Sequence, residues 1–153
     1  MDNEKIIKEL HALRQLDIDA VNAYDEAIKK ISNLEVSEQL ASFKLDHERH
    51  ISDLGIALQK LGDTSWADRK ADLKGLLIEG FTKLRSSTGT EGALKAMRMN
   101  EQLTNRNYKD AHALDFPADI RSLIAANYED EKRHLKYIEG AIDNEAWEQK
   151  HVA

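Results

Sequence analysis

Shifted against itself by 84 residues, the chain aligns 10–61 with 94–145 without a gap. Ten positions are identical, among them Tyr24/Tyr108, Ala27/Ala111, Asp46/Asp130, Arg49/Arg133 and His50/His134. Chance pairing of similar compositions gives roughly three, so the chain reads as a duplicated unit. That duplication constrains the fold more than any other feature, because whatever one half builds the other must build again.

Each unit is a helical hairpin. Leu10, Leu13, Ala20, Tyr24, Ala27 and Ile31 step by threes and fours, the spacing of a bundle seam. A second helix follows SNLEVS, with Ser37 as its expected N-cap, a seam of Leu40, Phe43, Leu54, Ala57 and Leu61, and Gly62 as its stop. The third opens after the turn-rich SSTGTEG and carries Leu94, Met97, Tyr108 and Ala111. HALDFPAD, with the only proline at position 117, breaks it, and the fourth runs through Ile124, Ile138 and Ala141 to about Trp147. Between Gly62 and Gly92, Ser65 and Asp68 open a shorter amphipathic helix with an apolar stripe of Leu73, Leu76, Leu77, Phe81 and Leu84. Two short connections flanking one of about 30 residues predict an antiparallel four-helix bundle with a long helical crossover. The whole of 1–153 is expected to be a single all-α domain, with hairpins 10–61 and 94–145 and crossover 62–92.

The absence of cysteine excludes a disulfide scaffold, thiolate metal sites and cysteine nucleophiles. It suits the cytoplasm. No stretch approaches the roughly 18 apolar residues of a membrane span, and MDNEKIIKEL lacks the apolar core of a signal peptide. A net charge of −6 argues against a nucleic-acid-coating surface.

Polar residues interrupt the seams. The heptad phase places Asp17 inward in the first helix and Glu101 at the equivalent position of the third. His47 and His50 fall between Phe43 and Leu54, and Glu131 and His134 between Asn127 and Ile138. Positions 17 and 47, and 101 and 131, are 30 apart, which in antiparallel hairpins brings them to one level. Unpaired buried carboxylates and imidazoles cost several kcal/mol, so this set needs mutual partners or a metal ion. Taken singly, each is more often a hydrogen-bonded core group; as a repeated set they point to metal. Tyr24 and Tyr108 read equally as core residues or as support for the acids, and Asn127 as a group that orients Glu131 or satisfies itself. His11, His112 and His151 are expected to face solvent. Asp46, Glu48 and Arg49 flank the core phase and read as surface charge pairs. Trp66 and Trp147 would cover the bundle ends or join a dimer contact.

Glu131-Lys-Arg-His134 resembles the E-x-x-H motif of the ferritin-like carboxylate bundles. LDIDAVNAYDEAI, DHERHISDL, NEQLTNRNY and EDEKRHLKYIEGAI are similar to a small bacterial ferritin-like family of unknown function, near the rubrerythrins and bacterioferritins. The resemblance implies a di-metal site of iron or manganese, with Asp17 and Glu101 as terminal ligands, Glu131 as a bridge, and His50 and His134 as nitrogen ligands. Tyr24 and Tyr108, seven residues after their acids, match the supporting tyrosine of bacterioferritin-like members. His47 stands where the family pattern has the second bridging glutamate, and Asp17 is one methylene shorter than the usual acid. The extra nitrogen moves selectivity toward zinc, nickel or copper. The site is then an altered dinuclear one, a mononuclear one or a relic.

Two functions follow. One is a metal-binding bundle with oxidoreductase activity toward oxygen or peroxide. The other is a non-catalytic structural or interaction module with a degenerate site. A storage cage fits less well, since no nucleation patch and no fifth helix are visible, and DNA protection lacks a basic tail. Partners are expected to be a second copy of the chain and a small oxidant, with no nucleic acid or membrane.

Overall fold

The computed structural model describes residues 1–65, 82–84 and 86–148. Four long helices account for most of them: α1 (Asn3–Lys30), α2 (Leu34–Lys60), α3 (Gly89–His112) and α4 (Ala118–Asp143), followed by a 3-10 turn at Ala146–Glu148. There is no strand among the described residues. The architecture is the all-α four-helix bundle that the seams predict. The crossover helix expected from Ser65, with its stripe through Phe81, lies outside the described residues, as do Trp66 and His151; Leu84, at its end, is buried.

Helix boundaries follow local chemistry. Asp2 caps α1 by accepting from the Lys5 amide at 2.8 Å. The second helix begins earlier than Ser37, because Asn33 is the cap: its side chain accepts from Val36 N at 3.2 Å while its carbonyl takes Ser37 N at 2.9 Å. Ser37 therefore sits inside the first turn. Asn and Ser cap about equally well, and Asn33 is further anchored by donating to the Ala146 carbonyl at 3.0 Å. Gly62 ends α2 as expected. Its φ of 87° suits a residue without Cβ, and Gly62 N→Gln59 O and Asp63 N→Leu58 O, both 3.0 Å, form the paired bonds of a Schellman stop. The third helix also starts early, at Gly89 within SSTGTEG, and the fourth stops at Asp143 rather than near Trp147.

Within each hairpin α1 packs on α2 and α3 on α4; the hairpins then dock α1 on α3 and, less extensively, α2 on α4. The core is not continuous. One apolar cluster, including Tyr24, Ala27, Leu40, Phe43, Leu94, Met97 and Ile138, fills the end near the α1–α2 turn. A second, including Leu10, Leu13, Leu54, Leu58, Tyr108, Phe116 and Ile124, fills the opposite end. Between the two lies a layer of buried polar side chains.

Candidate metal centre

That layer contains Asp17, His47, His50, Glu101, Glu131 and His134, none more than 1% exposed. All four helices contribute: Asp17 from α1, His47 and His50 from α2, Glu101 from α3, Glu131 and His134 from α4. Residues three apart on a helix share a face, so His47 with His50, and Glu131 with His134, enter together.

Asp17 Oδ1 lies 2.7 Å from His47 Nδ1 and 3.1 Å from His50 Nδ1. Glu131 Oε1 is 3.4 Å from His47 Nδ1 and 3.3 Å from His50 Nδ1. On the other side, His47 Nε2 reaches Glu101 Oε1 at 3.2 Å, and His134 Nδ1 stands 3.7 Å from both Glu101 Oε1 and Glu131 Oε2. Two groups emerge in which one ligand atom from each residue lies within 4.8 Å of the others: Asp17, His47, His50 and Glu131, and His47, Glu101, Glu131 and His134. Each could hold a metal ion, and they share His47 and Glu131.

The surrounding shell obeys the repeat. Tyr24 donates to Glu101 Oε1 and Tyr108 to Asp17 Oδ2, both at 2.5 Å, so each tyrosine supports the acid of the other hairpin. Asn127 donates to the Tyr108 hydroxyl at 3.3 Å, orienting that tyrosine rather than Glu131. His50 Nε2 meets Asp130 at 2.9 Å, and His134 Nε2 meets Asp46 at 2.8 Å. Asp46 is therefore more than a surface charge. The heptad phase puts it beside the core, but it bends inward to a buried imidazole while also accepting from Arg133 at 2.7 Å. Asp130 does the same with His50 and Arg49. Glu48, by contrast, pairs at the surface with Lys44.

Two further groups carry no sequence signal. Thr104 Oγ1 lies 3.1 Å from Glu101 Oε2 and 3.2 Å from Glu131 Oε2. Asn105 donates to the backbone carbonyls of Glu101 (2.8 Å) and Glu131 (2.9 Å), locking α3 to α4 at the level of the two acids. Their repeat counterparts are Ala20 and Val21, so the duplication does not flag them. His112 is exposed as expected, whereas His11 is not free in solvent: its side chain is 11% exposed and its Nε2 pairs with Asp63, just beyond the α2 stop.

Charges balance internally. Burial opposes ionisation of Asp17 and Glu101, but contacts with His47 and His50, and with His134 and His47, hold both carboxyls below their usual range. Burial likewise opposes the imidazolium forms, yet the acids win: His50 is pushed up to about 10, His134 to about 9, and His47 is also raised. Burial, reinforced by the charge of Glu101, raises Glu131 instead. Burial and the neighbouring acids keep both tyrosines as phenols.

A family model described as a domain of unknown function (DUF2383) matches residues 5–113. The chain belongs to this family. The match takes in Asp17, His47, His50 and Glu101 and stops before α4, so Glu131 and His134 lie outside the stretch matched to DUF2383. No curated protein matches the chain. Among solved structures, a two-domain protein from Anabaena variabilis, with DJ-1/ThiJ/PfpI-like and ferritin-like domains, superposes on 100% of this DUF2383 chain and 42% of its own, with a TM-score of 0.78 at 13% identity. The chain thus spans under half the length of that protein, and its fold is that of a ferritin-like domain.

Proposed function

We propose that this chain is a metal-binding ferritin-like protein whose buried carboxylate–histidine layer takes up to two divalent ions. The observation that carries the reading is a pair of orphaned atoms. Glu131 Oε1 and His134 Nδ1 are buried without a hydrogen-bond partner, while nearly every other polar atom of the layer has one. Buried polar atoms without partners are rare and costly, and cations, displacing any proton on His134, would satisfy both. The donor set of three carboxylates and three imidazoles suits iron, manganese or zinc.

With iron or manganese, such a pair would supply electrons to a small oxidant such as oxygen or peroxide. The chain's own residues would fix ligand geometry through Asp46, Asp130, Tyr24 and Tyr108, and the two apolar clusters would keep bulk water out. Full burial of the layer favours a substrate of only a few atoms. The second reading, a non-catalytic module, is supported by the contacts of His47 with Asp17 and Glu101, which neutralise the acids without any ion.

Titration of metal-free protein with zinc, manganese and anaerobic ferrous iron tests the reading. At least one equivalent per chain should resist dialysis. Metal that washes out at every stoichiometry would overturn it. Asp46→Asn should weaken retention by about 10- to 100-fold, because the amide can no longer accept from His134 Nε2–H as a carboxylate does; equilibrium dialysis against a chromophoric chelator reads this directly.

We also propose a homodimer, in the cytoplasm, through α2. Leu34, Leu45 and Ile56 are 48%, 65% and 47% exposed and lie 11 residues apart, close to three full turns, so they share one stripe. The spacing is symmetric about Leu45. An antiparallel pair of α2 helices on a two-fold axis would set Leu45 against itself and Leu34 against Ile56, with Glu38 diagonal to Arg49. Leu45→Glu should give a monomer by sedimentation, with unchanged helix content; a wild-type monomer at all concentrations would sink the dimer.

A further inference from the structure

We propose, building on the metal-binding reading, that the two halves of the layer are unlike: one is a closed four-ligand position for a zinc-type ion, the other an open three-ligand position for a weaker, exchangeable ion. The asymmetry starts in the repeat. Asp17/Glu101 and His50/His134 keep their donor type at offset 84, but His47 faces Glu131 across the pseudo-two-fold.

A carboxylate can give one oxygen to each of two neighbouring ions. Glu131 is placed to do so, with Oε1 toward His47 and His50 and Oε2 toward His134. An imidazole cannot reproduce this, because its two nitrogens diverge and a neutral ring always keeps one N–H. His47 has Nδ1 against Asp17 and Glu131, and Nε2 against Glu101 Oε1. With Nδ1 engaged, Nε2 keeps its hydrogen and donates to Glu101, so His47 serves the first half alone.

That first half is complete. Asp17 Oδ1, His47 Nδ1, His50 Nδ1 and Glu131 Oε1 are separated by 2.7, 3.1, 3.3 and 3.4 Å along four of their six edges. A tetrahedron with bonds of about 2.0–2.2 Å has edges of roughly 3.3–3.6 Å. The remaining atoms of three of the ligands are held elsewhere: His47 Nε2 on Glu101, His50 Nε2 on Asp130, and Asp17 Oδ2 on Tyr108. These bonds leave Nδ1 of both histidines turned toward Asp17 and Glu131, where an ion would sit. Two nitrogens and two oxygens in this arrangement suit zinc.

The second half is less complete. His134 Nδ1 is its unpartnered nitrogen, Glu131 offers Oε2, and Glu101 offers Oε1, which lies 3.7 Å from His134 Nδ1 but already accepts from Tyr24 and His47, while Thr104 sits against Oε2 of both acids. The spacing of His134 Nδ1 from Glu131 Oε2 is wider, at 3.7 Å. Three protein ligands with one position left over is the pattern that keeps an ion reachable by a small molecule.

Cobalt(II) titration of the metal-free chain tests this, with cobalt as a visible stand-in for zinc. The first equivalent should bring the intense visible absorption of a four-coordinate ion, and zinc should remove it. The second should bind at least about tenfold more weakly, the smaller end of what changes around a metal site do to affinity. His47→Glu should abolish the intense band and bring the two affinities together, whereas His47→Gln should lose the first ion without gaining a symmetric pair. Circular dichroism verifies that the variants fold, and if neither does, the wild-type titration decides alone. Two indistinguishable equivalents with weak absorption in wild type would overturn the asymmetry and leave the metal-binding reading standing. No cobalt or zinc bound at all would remove that reading itself.

Discussion

Glu131→Gln should remove stoichiometric metal from the protein while leaving the metal-free fold about as stable as before. The substitution is isosteric, so α4 keeps its packing and Thr104 keeps a neighbour at 3.2 Å from the former Oε2. The bridging charge disappears, and with it one ligand from each of the two groups that share Glu131. Affinity should fall more than about 100-fold, beyond the range produced by changes outside the ligands. Stability should respond differently. Glu131 is the one acid of the layer whose carboxyl stays above its usual range, burial outweighing its histidines, and its Oε1 has no hydrogen-bond partner in the metal-free chain. A carboxyl held above its usual range is favoured in its neutral form, which glutamine matches in shape, so the swap costs the metal-free fold little. Urea unfolding in chelator and elemental analysis after dialysis report the two quantities separately. A variant that retains one ion per chain would remove Glu131 from the site.

The second large effect is on pH. In chelator, the folded chain holds His50 up to about 10 and His134 up to about 9, against an ordinary value of 6.5. A raised folded value means that the folded state binds the proton more tightly than the unfolded one. The stabilisation is complete below about 6.5 and is lost as pH rises through 9 to 10. At 1.36 kcal/mol per unit, the loss is on the order of several kcal/mol. Asp17 and Glu101 are shifted the other way, so their contribution disappears as pH falls below the ordinary carboxylate range. Metal-free protein should be most stable in mildly acidic solution, whereas saturating zinc should reverse the alkaline limb because ions compete with those protons. Thermal melts from pH 5 to 10, with chelator and with zinc, check the sign. A flat chelator profile would show that folding leaves the histidines' proton affinities unchanged.

The fold was largely legible because a seam on an amphipathic helix is a strong periodic signal. The skipped seam positions Asp17, Glu101, His47, His50, Glu131 and His134 stood out for the same reason: nothing but a buried partner explains polar groups there. The boundaries were less legible. Asn33 and Ser37 are both competent caps, and only the tertiary bond from Asn33 Nδ2 to Ala146 O distinguishes the former's place in the fold. Asp46 and Asp130 illustrate a different limit. Phase assigns them to the flank, and a short side chain leaning across the α2–α4 groove is invisible to periodicity. Their identity in both repeats, together with Arg49/Arg133 and His50/His134, was the available clue. Thr104 and Asn105 offered none, since polar residues on a helix flank are usually solvated.

The crossed pairs, Asp46 with His134 and Asp130 with His50, mean that neither hairpin contains a complete half of the layer. Two identical hairpins meeting on a two-fold axis could assemble such a layer, but both halves would have to be alike, since any substitution would appear twice. Joining them in one polypeptide releases that restriction. A histidine can then stand at position 47 while its counterpart at 131 stays glutamate. Carrying both hairpins in one polypeptide is thus what permits the two sides of this layer to differ.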